Sequence, residues 1–353
     1  MSARPKIFGH LMTEVIRAGK CVSCGACEAV CPVNTIKLDN GIPKLVGLCI
    51  ACQMCYWNCP IANFDVPFME QQVFGRTRSD EEASIGVHRS IQAVRAKDEG
   101  ILRRAQDGGA VSAILYQFLS DGGKGAVVTG VEEERPWAAK PIVVTSKEGI
   151  LEGAGTKYTS SPTMVGVASA VQEYALGKFS VVGTPCQIKA IRNIETLPRS
   201  DERIRAAVAL RIGVFCMETF SYSSFMEYLE KEGIDPVKVD KFEIKSGRFI
   251  AKEGGEEVYN VKLSKVKELV RPCCHTCGDF SAEFSDLSVG NVGSPDGWST
   301  VIVRTETGER ALHAAAEAGL IDLQPIKVGK GGLGLVKRLA SIKSKQAVNE
   351  EEN

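Results

Sequence analysis

Eight cysteines near the start of the chain fall into two runs with the same spacing. Each run has the pattern Cys-x2-Cys-x2-Cys-x3-Cys-Pro, the first beginning at Cys21 and the second at Cys49. Runs of this kind bind [4Fe-4S] clusters: three cysteines of a run hold one cluster, and the fourth, set apart by the proline, serves the other. We therefore expect two clusters, one bound by Cys21, Cys24, Cys27 and Cys59 and the other by Cys49, Cys52, Cys55 and Cys31.

The doubled run is the pattern of bacterial ferredoxins that carry two clusters. A zinc site and a disulfide framework are the other uses open to these cysteines. Zinc sites generally use two separated Cys-x2-Cys pairs, not two runs of four that end in proline. Disulfides belong to oxidising compartments, whereas cluster ligands must stay free thiolates. Since the first twenty residues also lack the apolar run of a secretory signal, we expect a cytoplasmic protein.

Five further cysteines lie far from the two runs. Cys186 opens a predicted helix directly after a strand, and Cys216 ends the next strand. Parallel strands would bring both to the carboxyl edge of a sheet, where α/β proteins build their sites. Together with the Cys274-x2-Cys277 pair they can bind a third [4Fe-4S] cluster. A pair that uses Cys273 instead of Cys274 is an open alternative, and a single cysteine is most often a small buried hydrophobic residue.

Three other segments have the composition of a nucleotide site. The first places two glycines before a helix, where backbone amides can hold a phosphate. The second combines a cation, an aromatic ring and hydroxyls, and the third is a loop rich in glycine after a strand. Ordinary capping and turn formation are the alternatives, and the Gly-x-Gly-x-x-Gly fingerprint of nicotinamide enzymes is missing. The candidate residues are Gln106, Asp107, Gly108, Gly109, Lys157, Tyr158, Ser160, Asn291 and Gly293.

Apolar strands alternate with amphipathic helices from residue 90 onward. This alternation predicts an α/β core with a largely parallel sheet. Residues 241–261 add a small antiparallel section. Before the core, the Asn40-Gly41 pair between short apolar runs predicts a hairpin, which gives the cysteine-rich region an α+β ferredoxin-type fold.

The chain is expected to divide into four segments. Residues 1–68 would form the two-cluster ferredoxin domain, and residues 89–328 the α/β core. Residues 69–88 between them are polar and predict a linker, with an exposed helix as the alternative. Residues 329–353 form a basic amphipathic helix, which can pack on its own domain, lie on an anionic membrane or dock on a partner.

The overall charge excludes one class of partner. Lysine plus arginine and aspartate plus glutamate both total 43, so the formal net charge is zero. A balanced chain of this kind has no general attraction for nucleic acid. No apolar run approaches the length of about 18 residues that a membrane-spanning helix needs.

Six short motifs follow one another in the core. They are Gln106-Asp-Gly-Gly, Lys157-Tyr158, Gly183-Thr184-Pro185-Cys186-Gln187, Phe215-Cys-Met-Glu, Cys274-x2-Cys277-x-Asp279 and Gly290-Asn-Val-Gly-Ser-Pro-Asp-Gly-Trp298. In type and order these motifs resemble those of the coenzyme F420-reducing hydrogenase β-subunit family. The resemblance implies bound FAD, coenzyme F420 as substrate and a third [4Fe-4S] cluster on the core cysteines. It adds Gly183, Pro185 and Gln187 to the candidate binding residues.

The same resemblance implies a reaction. Members that begin with a doubled ferredoxin run are similar to the electron-input subunit of reduced-F420 dehydrogenase complexes. Hydride would pass between F420 and FAD, and single electrons would pass through the clusters to or from a partner. That partner would be a redox subunit or a soluble ferredoxin-like acceptor, with docking at the cytoplasmic face of a membrane complex as one arrangement. The alternatives are a non-catalytic electron-transfer adaptor, or the same fold serving a hydrogenase, formate dehydrogenase or other reductase.

Overall fold

The computed structural model describes the backbone of residues 5–351 and the side chains of residues 5–348. The cysteine-rich region is small and contains one hairpin, in which β1 (Ile36–Asp39) pairs antiparallel with β2 (Ile42–Leu45). The turn residues Asn40 and Gly41 have φ angles of 48° and 77°. Two positive φ angles in a two-residue loop match the right-handed twist of the strands. The predicted hairpin is therefore confirmed. The helices here are α1 (Phe8–Leu11), α2 (Ala26–Ala29) and α3 (Met54–Trp57), with a π-helical turn at Met12–Ile16 after α1.

Residues 69–88, for which the sequence suggests a linker, fold against the core. Most of α4 (Val66–Phe74) lies in this segment, and a 3-10 turn at Asp80–Glu82 follows it. Arg78 pairs with Glu283 of the core at 2.6 Å. The buried Arg304 guanidinium donates to the two backbone carbonyls of residues 85 and 87, at 2.8 and 2.9 Å. The polar composition therefore reflects buried ion pairs and hydrogen bonds, which sequence periodicity does not reveal.

The remaining elements form the core. Its helices are α5 (Glu99–Arg104), α6 (Ala110–Ser120), α7 (Lys147–Glu152), α8 (Thr163–Gln172), α9 (Pro185–Thr196), α10 (Glu202–Ala207), α11 (Tyr222–Lys231), α12 (Glu306–Glu317) and α13 (Leu333–Glu351). Its strands are β3 (Ser90–Ala96), β4 (Gly125–Val131), β5 (Ala139–Val144), β6 (Phe179–Gly183), β7 (Val208–Val214), β8 (Lys241–Lys245), β9 (Arg248–Glu253), β10 (Glu256–Lys262), β11 (Leu287–Gly290), β12 (Ser299–Val303) and β13 (Ile321–Pro325).

A mixed sheet is the centre of the core. In the part of the chain that the structure describes it has eight strands, in the order β13-β3-β12-β11-β7-β6-β4-β5. The central strands β11, β7, β6 and β4 are parallel neighbours, and β3 runs in the same direction because two antiparallel pairings separate it from β11. Strands β12, β13 and β5 run the opposite way. The predicted α/β class with a largely parallel sheet is confirmed.

The predicted antiparallel section is a separate sheet of β8, β9 and β10. It covers an aromatic cluster in which Phe242 stacks on Phe249 at 5.4 Å and contacts Phe225 edge-on at 5.1 Å. Aromatic rings bury large apolar areas, so this cluster fixes β8 and β9 against α11. The small sheet thereby comes to lie over the segments 105–107 and 156–158.

The basic tail packs on its own domain. Along α13 the side chains of Val336, Ala340, Lys343 and Ala347 are buried, at a spacing that places them on one helix face. Val336 and Ala340 contact Ile85 and other residues of the core. Of the helices that the structure describes, none combines the length and the apolar character needed to cross a bilayer.

Candidate functional site

Two core cysteines lie where parallel strands end. Gly183 of β6 pairs with Gly213 of β7, so both strands finish at the same edge of the sheet. Cys186 lies in the first turn of α9, directly after β6, and Cys216 follows β7. Both residues therefore lie at the carboxyl edge of the sheet, as expected.

Cys186, Cys216, Cys274 and Cys277 lie near one another, and all four are half-buried. Burial raises the pKa of Cys186 to about 12, and the neighbouring Cys277 and Cys274 contribute to the rise. Burial also raises the pKa of Cys216 well above its ordinary value, again with contributions from Cys186, Cys274 and Cys277. Four half-buried thiols from three separate places in the sequence thus form one group. Iron binding would displace their protons, as metals do from coordinating thiols.

Cys273 and Cys274 have different surroundings. Cys273 is buried in an apolar cluster of the core. The neighbouring Cys273 thiol is the main cause that lowers the pKa of Cys274. The backbone N–H of Thr219 also donates to the Cys274 sulfur at 3.4 Å, and the Thr219 hydroxyl lies 3.5 Å from it. These contacts stabilise a thiolate at Cys274 and therefore favour Cys274 over Cys273 as a ligand.

Three cations surround the core group, and the sequence motifs did not single them out. Lys343 of α13 donates to the Cys274 carbonyl at 3.0 Å. Lys189 of α9 lies 4.0 Å from Asp279, close to Cys277 and Cys186. Arg271 precedes the Pro272–Cys274 turn and lowers the pKa of Cys186 against the larger effect of burial. Of these three cations, only Arg271 could have been found from the sequence, because it stands close to the cysteine pair.

The ferredoxin-type cysteines also form two groups. In the first, burial raises the pKa of Cys27 well above its ordinary value, and Cys24, Cys59 and Cys21 add to the rise. In the second, burial raises the pKa of Cys55 to about 12, with contributions from Cys52, Cys49 and Cys31. One cavity is lined by all four of the second group, Cys31, Cys49, Cys52 and Cys55.

None of the three groups has the geometry of a site for one ion. Within the described residues, no three His, Cys, Asp or Glu side chains converge as ligands of a single metal ion. In a cubane each thiolate binds a different iron atom, so four cluster cysteines stand further apart than ligands of one ion. The ligand assignment therefore stays a prediction.

The first ferredoxin group lies against the core group. Arg271 donates to the Cys21 carbonyl at 3.1 Å and to the Ser23 hydroxyl at 2.6 Å. The Met164 N–H of α8 donates to the Cys24 carbonyl at 2.9 Å. Cys186 is near enough to Cys24 to contribute to its raised pKa, which burial dominates. The second group is further out, since Cys49 is exposed.

Several predicted nucleotide-binding residues meet near β8. The Gln106 side chain accepts from the Thr156 N–H at 3.1 Å and donates to the Phe242 carbonyl at 3.4 Å. Burial raises the pKa of Asp107, while a hydrogen bond from Asn291 opposes the rise. Gln106, Asp107 and Asn291 therefore belong to one region, between the ends of the large sheet and the small one.

Lys157 and Tyr158 lie beside this region. The Lys157 ammonium donates to the carbonyls of Gly153 and Ala154 at 2.9 and 2.7 Å. Burial lowers its pKa to about 8. The Tyr158 hydroxyl accepts from the Ile244 N–H at 3.0 Å, and its ring stacks on a neighbouring phenylalanine at 5.8 Å. Lys157 is thus a half-buried cation whose described hydrogen bonds all go to neutral carbonyls.

The other predicted residues lie at the start of α8 and α9. Gln187 accepts from the Thr184 N–H at 2.8 Å and donates to the Ser161 carbonyl at 2.7 Å. Pro185 is the first residue of α9 and Gly183 the last of β6. Ser160 directly precedes Ser161, whose buried hydroxyl has no hydrogen-bond partner among the described residues. These residues border the core cysteines, at a distance from the group near β8.

The glycines of the predicted phosphate loops contact the protein itself. A Cβ on Gly108 would lie 2.4 Å from the Ser299 nitrogen and 2.6 Å from the Val94 carbonyl oxygen. A Cβ on Gly293, which has a φ of +96°, would lie 2.6 Å from the Val336 side chain of α13. Gly109 directly precedes α6. At Gly108 and Gly293, the neighbour that the backbone closely approaches is thus another part of the chain.

We expect Gly108→Ala to destabilise the core by about 1–3 kcal/mol, because the methyl group collides with backbone that cannot move aside. Thermal unfolding followed by circular dichroism would show this as a lower midpoint. Gly177→Ala is the matched control, since a Cβ there meets nothing within 4 Å. Equal midpoints for the two variants would refute the packing role of Gly108.

Comparison with known proteins bears on this arrangement. The description "4Fe-4S dicluster domain" matches residues 13–84. The family described as "Coenzyme F420 hydrogenase/dehydrogenase, beta subunit" matches twice, with its N-terminal part at residues 91–168 and its C-terminal part at residues 176–328. Coenzyme F420 hydrogenase subunit beta of Methanothermobacter thermautotrophicus is 37% identical over 265 residues, 74% of this chain and 94% of that protein. The chain belongs to the coenzyme F420 hydrogenase/dehydrogenase β-subunit family.

Two other members of the family extend the comparison. One subunit of the F(420)H(2) dehydrogenase of Methanosarcina mazei is 30% identical over 342 residues, 95% of this chain and 92% of that protein. The solved F420-reducing [NiFe] hydrogenase complex of Methanosarcina barkeri contains a chain that is 34% identical, with a TM-score of 0.72. The match covers 76% of this chain and 93% of that one. The resemblance inferred from the motifs is confirmed, and the chain is a β-subunit-type F420 oxidoreductase with a 4Fe-4S dicluster domain.

Proposed function

We propose that this chain oxidises reduced coenzyme F420 at FAD in the α/β core and delivers single electrons, through three [4Fe-4S] clusters, to a redox partner. One observation carries the proposal. The half-buried group of Cys186, Cys216, Cys274 and Cys277 lies at the carboxyl edge of the sheet and against the first ferredoxin group. A centre at that position would connect the core with the dicluster domain, which is the arrangement an electron-input subunit needs.

F420 carries two electrons as a hydride, whereas each cluster takes one electron at a time. FAD, when bound, supplies the conversion between the two. The residues proposed to hold the flavin and the deazaflavin are those near β8 and those that begin α8 and α9. Lys157 fits an anionic group best. Its half-buried charge is met, among the described residues, by carbonyls alone, and a pyrophosphate would provide the missing counter-charge. The remaining residues of the proposed site are Gln106, Asp107, Gly108, Gly109, Tyr158, Ser160, Gly183, Pro185, Gln187, Asn291 and Gly293.

The donor sets fit cubane clusters. We assign Cys21, Cys24, Cys27 and Cys59 to one centre, Cys31, Cys49, Cys52 and Cys55 to the second, and the core group with Cys274 to the third. In the core, the Thr219 N–H donates to a sulfur, and Arg271, Lys189 and Lys343 place positive charge around the thiols. Hydrogen bonds to sulfur and nearby charge are the means by which proteins tune such clusters.

The outer ferredoxin group suggests where electrons leave. Cys49 is exposed, and its surroundings include Ile42, Leu45, Val46, Leu48 and Ile50, which are 44–89% exposed. The nearby hairpin charges Lys44 and Asp39 pair with one another at 2.5 Å. Such an uncharged apolar surface is typical of protein–protein contacts. It supports a partner redox protein, as the hydrogenase and dehydrogenase complexes of the relatives do.

The proposal predicts that anaerobically purified protein contains FAD, whose absorbance near its visible maximum is bleached by reduced F420 and not by NADH. The reason is that the nicotinamide fingerprint is missing and the family acts on F420. Stopped-flow absorbance with each reductant at equal concentration makes the measurement. Equal bleaching by both reductants would remove the F420 assignment. Protein that never contains flavin would instead favour a non-catalytic adaptor.

A further inference from the structure

We propose that Lys343, on the C-terminal helix α13, is the residue that offsets the negative charge of the core cluster and so raises its reduction potential. The inference rests on the proposed third cluster. It assigns a role to a helix that begins beyond residue 328, where the match to the family ends.

Lys343 is buried in an unusual way. Its relative exposure is 4%, although lysine is almost never fully buried unless its charge is paired. The ammonium donates to one neutral group, the Cys274 carbonyl, at 3.0 Å. Among the described side chains, no carboxylate lies within ion-pair distance of it. A buried ammonium without an anion is costly, so the position calls for a negative charge nearby.

The nearby carboxylate of Glu218 does not meet that need well. Glu218 is close enough for Lys343 to lower its pKa, yet burial outweighs this effect and the pKa is raised on balance. Lys267 and His275 also lie near Glu218 and interact electrostatically with its carboxylate. Glu218 is therefore a weaker counter-ion for Lys343 than a charged group within the core would be.

The core cysteines provide such a group once they carry a cluster. Lys343 lies beside the core cysteines, because its ammonium donates to the Cys274 carbonyl at 3.0 Å. Four thiolates outnumber the positive charge of a cubane, so the cluster is an anion, and its negative charge grows on reduction. A fixed cation beside it stabilises the reduced form more than the oxidised form. Lys343 then makes the core cluster a better acceptor of electrons from the flavin side.

The geometry of α13 explains how the lysine is held. Val336, Ala340 and Ala347 occupy the same buried face as Lys343 and anchor the helix on both sides of it. A Cβ on Gly293 would collide with Val336, so the loop after β11 is shaped to receive this helix. The next lysine along the helix, Lys345, is exposed. The chain therefore offers a matched pair of lysines that differ in burial and in distance from the cluster.

The test is an anaerobic redox titration of the full-length protein, monitored by electron paramagnetic resonance of the core cluster. Within roughly 10 Å and at an effective dielectric constant of about 20, two unit charges alter an equilibrium constant about tenfold. In Lys343→Met we therefore expect the equilibrium constant for one-electron reduction to fall about tenfold, a shift of about 59 mV to more negative potential. Lys343→Arg should restore most of the shift, and Lys345→Met should leave the potential unchanged.

The outcomes separate this inference from the proposed function. Unchanged potential in Lys343→Met, in protein that keeps about twelve irons, overturns the inference alone. A parent protein with about eight irons overturns the core cluster and the inference with it. If Lys343→Met lacks the core cluster but Lys343→Arg keeps it, with equal thermal unfolding midpoints, the requirement for charge is upheld. Loss of the cluster from both variants shows a packing role and overturns the inference.

Discussion

Replacing Cys186 with serine is expected to lower the iron content from about twelve to about eight atoms per chain. The reason is that Cys186 belongs to the core group and to neither ferredoxin group, so its loss removes one cubane of three. Reduced F420 should still bleach the flavin in this variant. Reduction of the two ferredoxin clusters by F420 should slow by more than about 100-fold, beyond the 10–100-fold typical of changes in the surroundings of a metal site.

The control for this variant is Cys273→Ser, which tests the register of the cysteine pair. Cys273 lies in the apolar cluster and lowers the pKa of its neighbour Cys274. We expect Cys273→Ser to keep about twelve irons. Iron analysis and absorbance of both variants, purified side by side without oxygen, make the comparison. A Cys186→Ser protein with unchanged iron, or a Cys273→Ser protein that loses four atoms, would contradict the assignment.

Replacing Arg271 with glutamine is expected to separate the two halves of the electron path while leaving every cluster in place. Arg271 donates to the Cys21 and Val22 carbonyls and to the Ser23 hydroxyl, and it is the side chain that bonds the core cysteine loop to the first ferredoxin loop. Hydrogen bonds from a charged group contribute about 1.5–3 kcal/mol. Losing them should lower the equilibrium constant for forming this contact about 10-fold or more. We therefore expect slower reduction of the ferredoxin clusters and faster hydrogen exchange in residues 20–25.

Two further variants distinguish the role of Arg271 from a general loss of stability. Arg271→Lys keeps the charge but not the forked geometry, so we expect an intermediate rate. Arg310→Gln removes an exposed arginine of α12, whose pairing with Glu306 is a surface contact, and should change neither rate nor exchange. Unchanged cluster reduction in Arg271→Gln would show that the contact does not limit electron transfer.

Local patterns allowed much of the fold to be predicted. The Asn40-Gly41 turn has chemistry that specifies a hairpin without reference to the rest of the chain. The cysteine runs are equally local, and they match a dicluster domain. The meeting of Cys186 and Cys216 followed from one topological rule, that parallel neighbours end at the same edge of a sheet. These predictions succeeded because each depends on spacing along the chain or on sheet direction.

The residues that sequence analysis missed act over long separations. Arg271 contacts a loop about 250 positions away, and Lys343 donates to a carbonyl 69 positions away. Neither contact leaves a periodicity or a motif. The segment 69–88 looked like a linker because its charges, which form ion pairs within the segment and with Glu283 of the core, leave no apolar pattern. Gly108 was predicted to approach a ligand, yet it approaches backbone of the protein itself, because a glycine indicates a close approach but not which neighbour is approached.

Spin counting after a single addition of reduced F420 would decide whether the core feeds the dicluster domain. The unaltered chain, purified without oxygen and fully oxidised, would be mixed with one equivalent of reduced F420 and frozen for electron paramagnetic resonance. If electrons pass from the flavin through the core cysteines to the ferredoxin pair, most of them will appear as reduced [4Fe-4S] clusters. Bleached flavin with clusters that stay oxidised, yet become reduced by dithionite, would contradict that path.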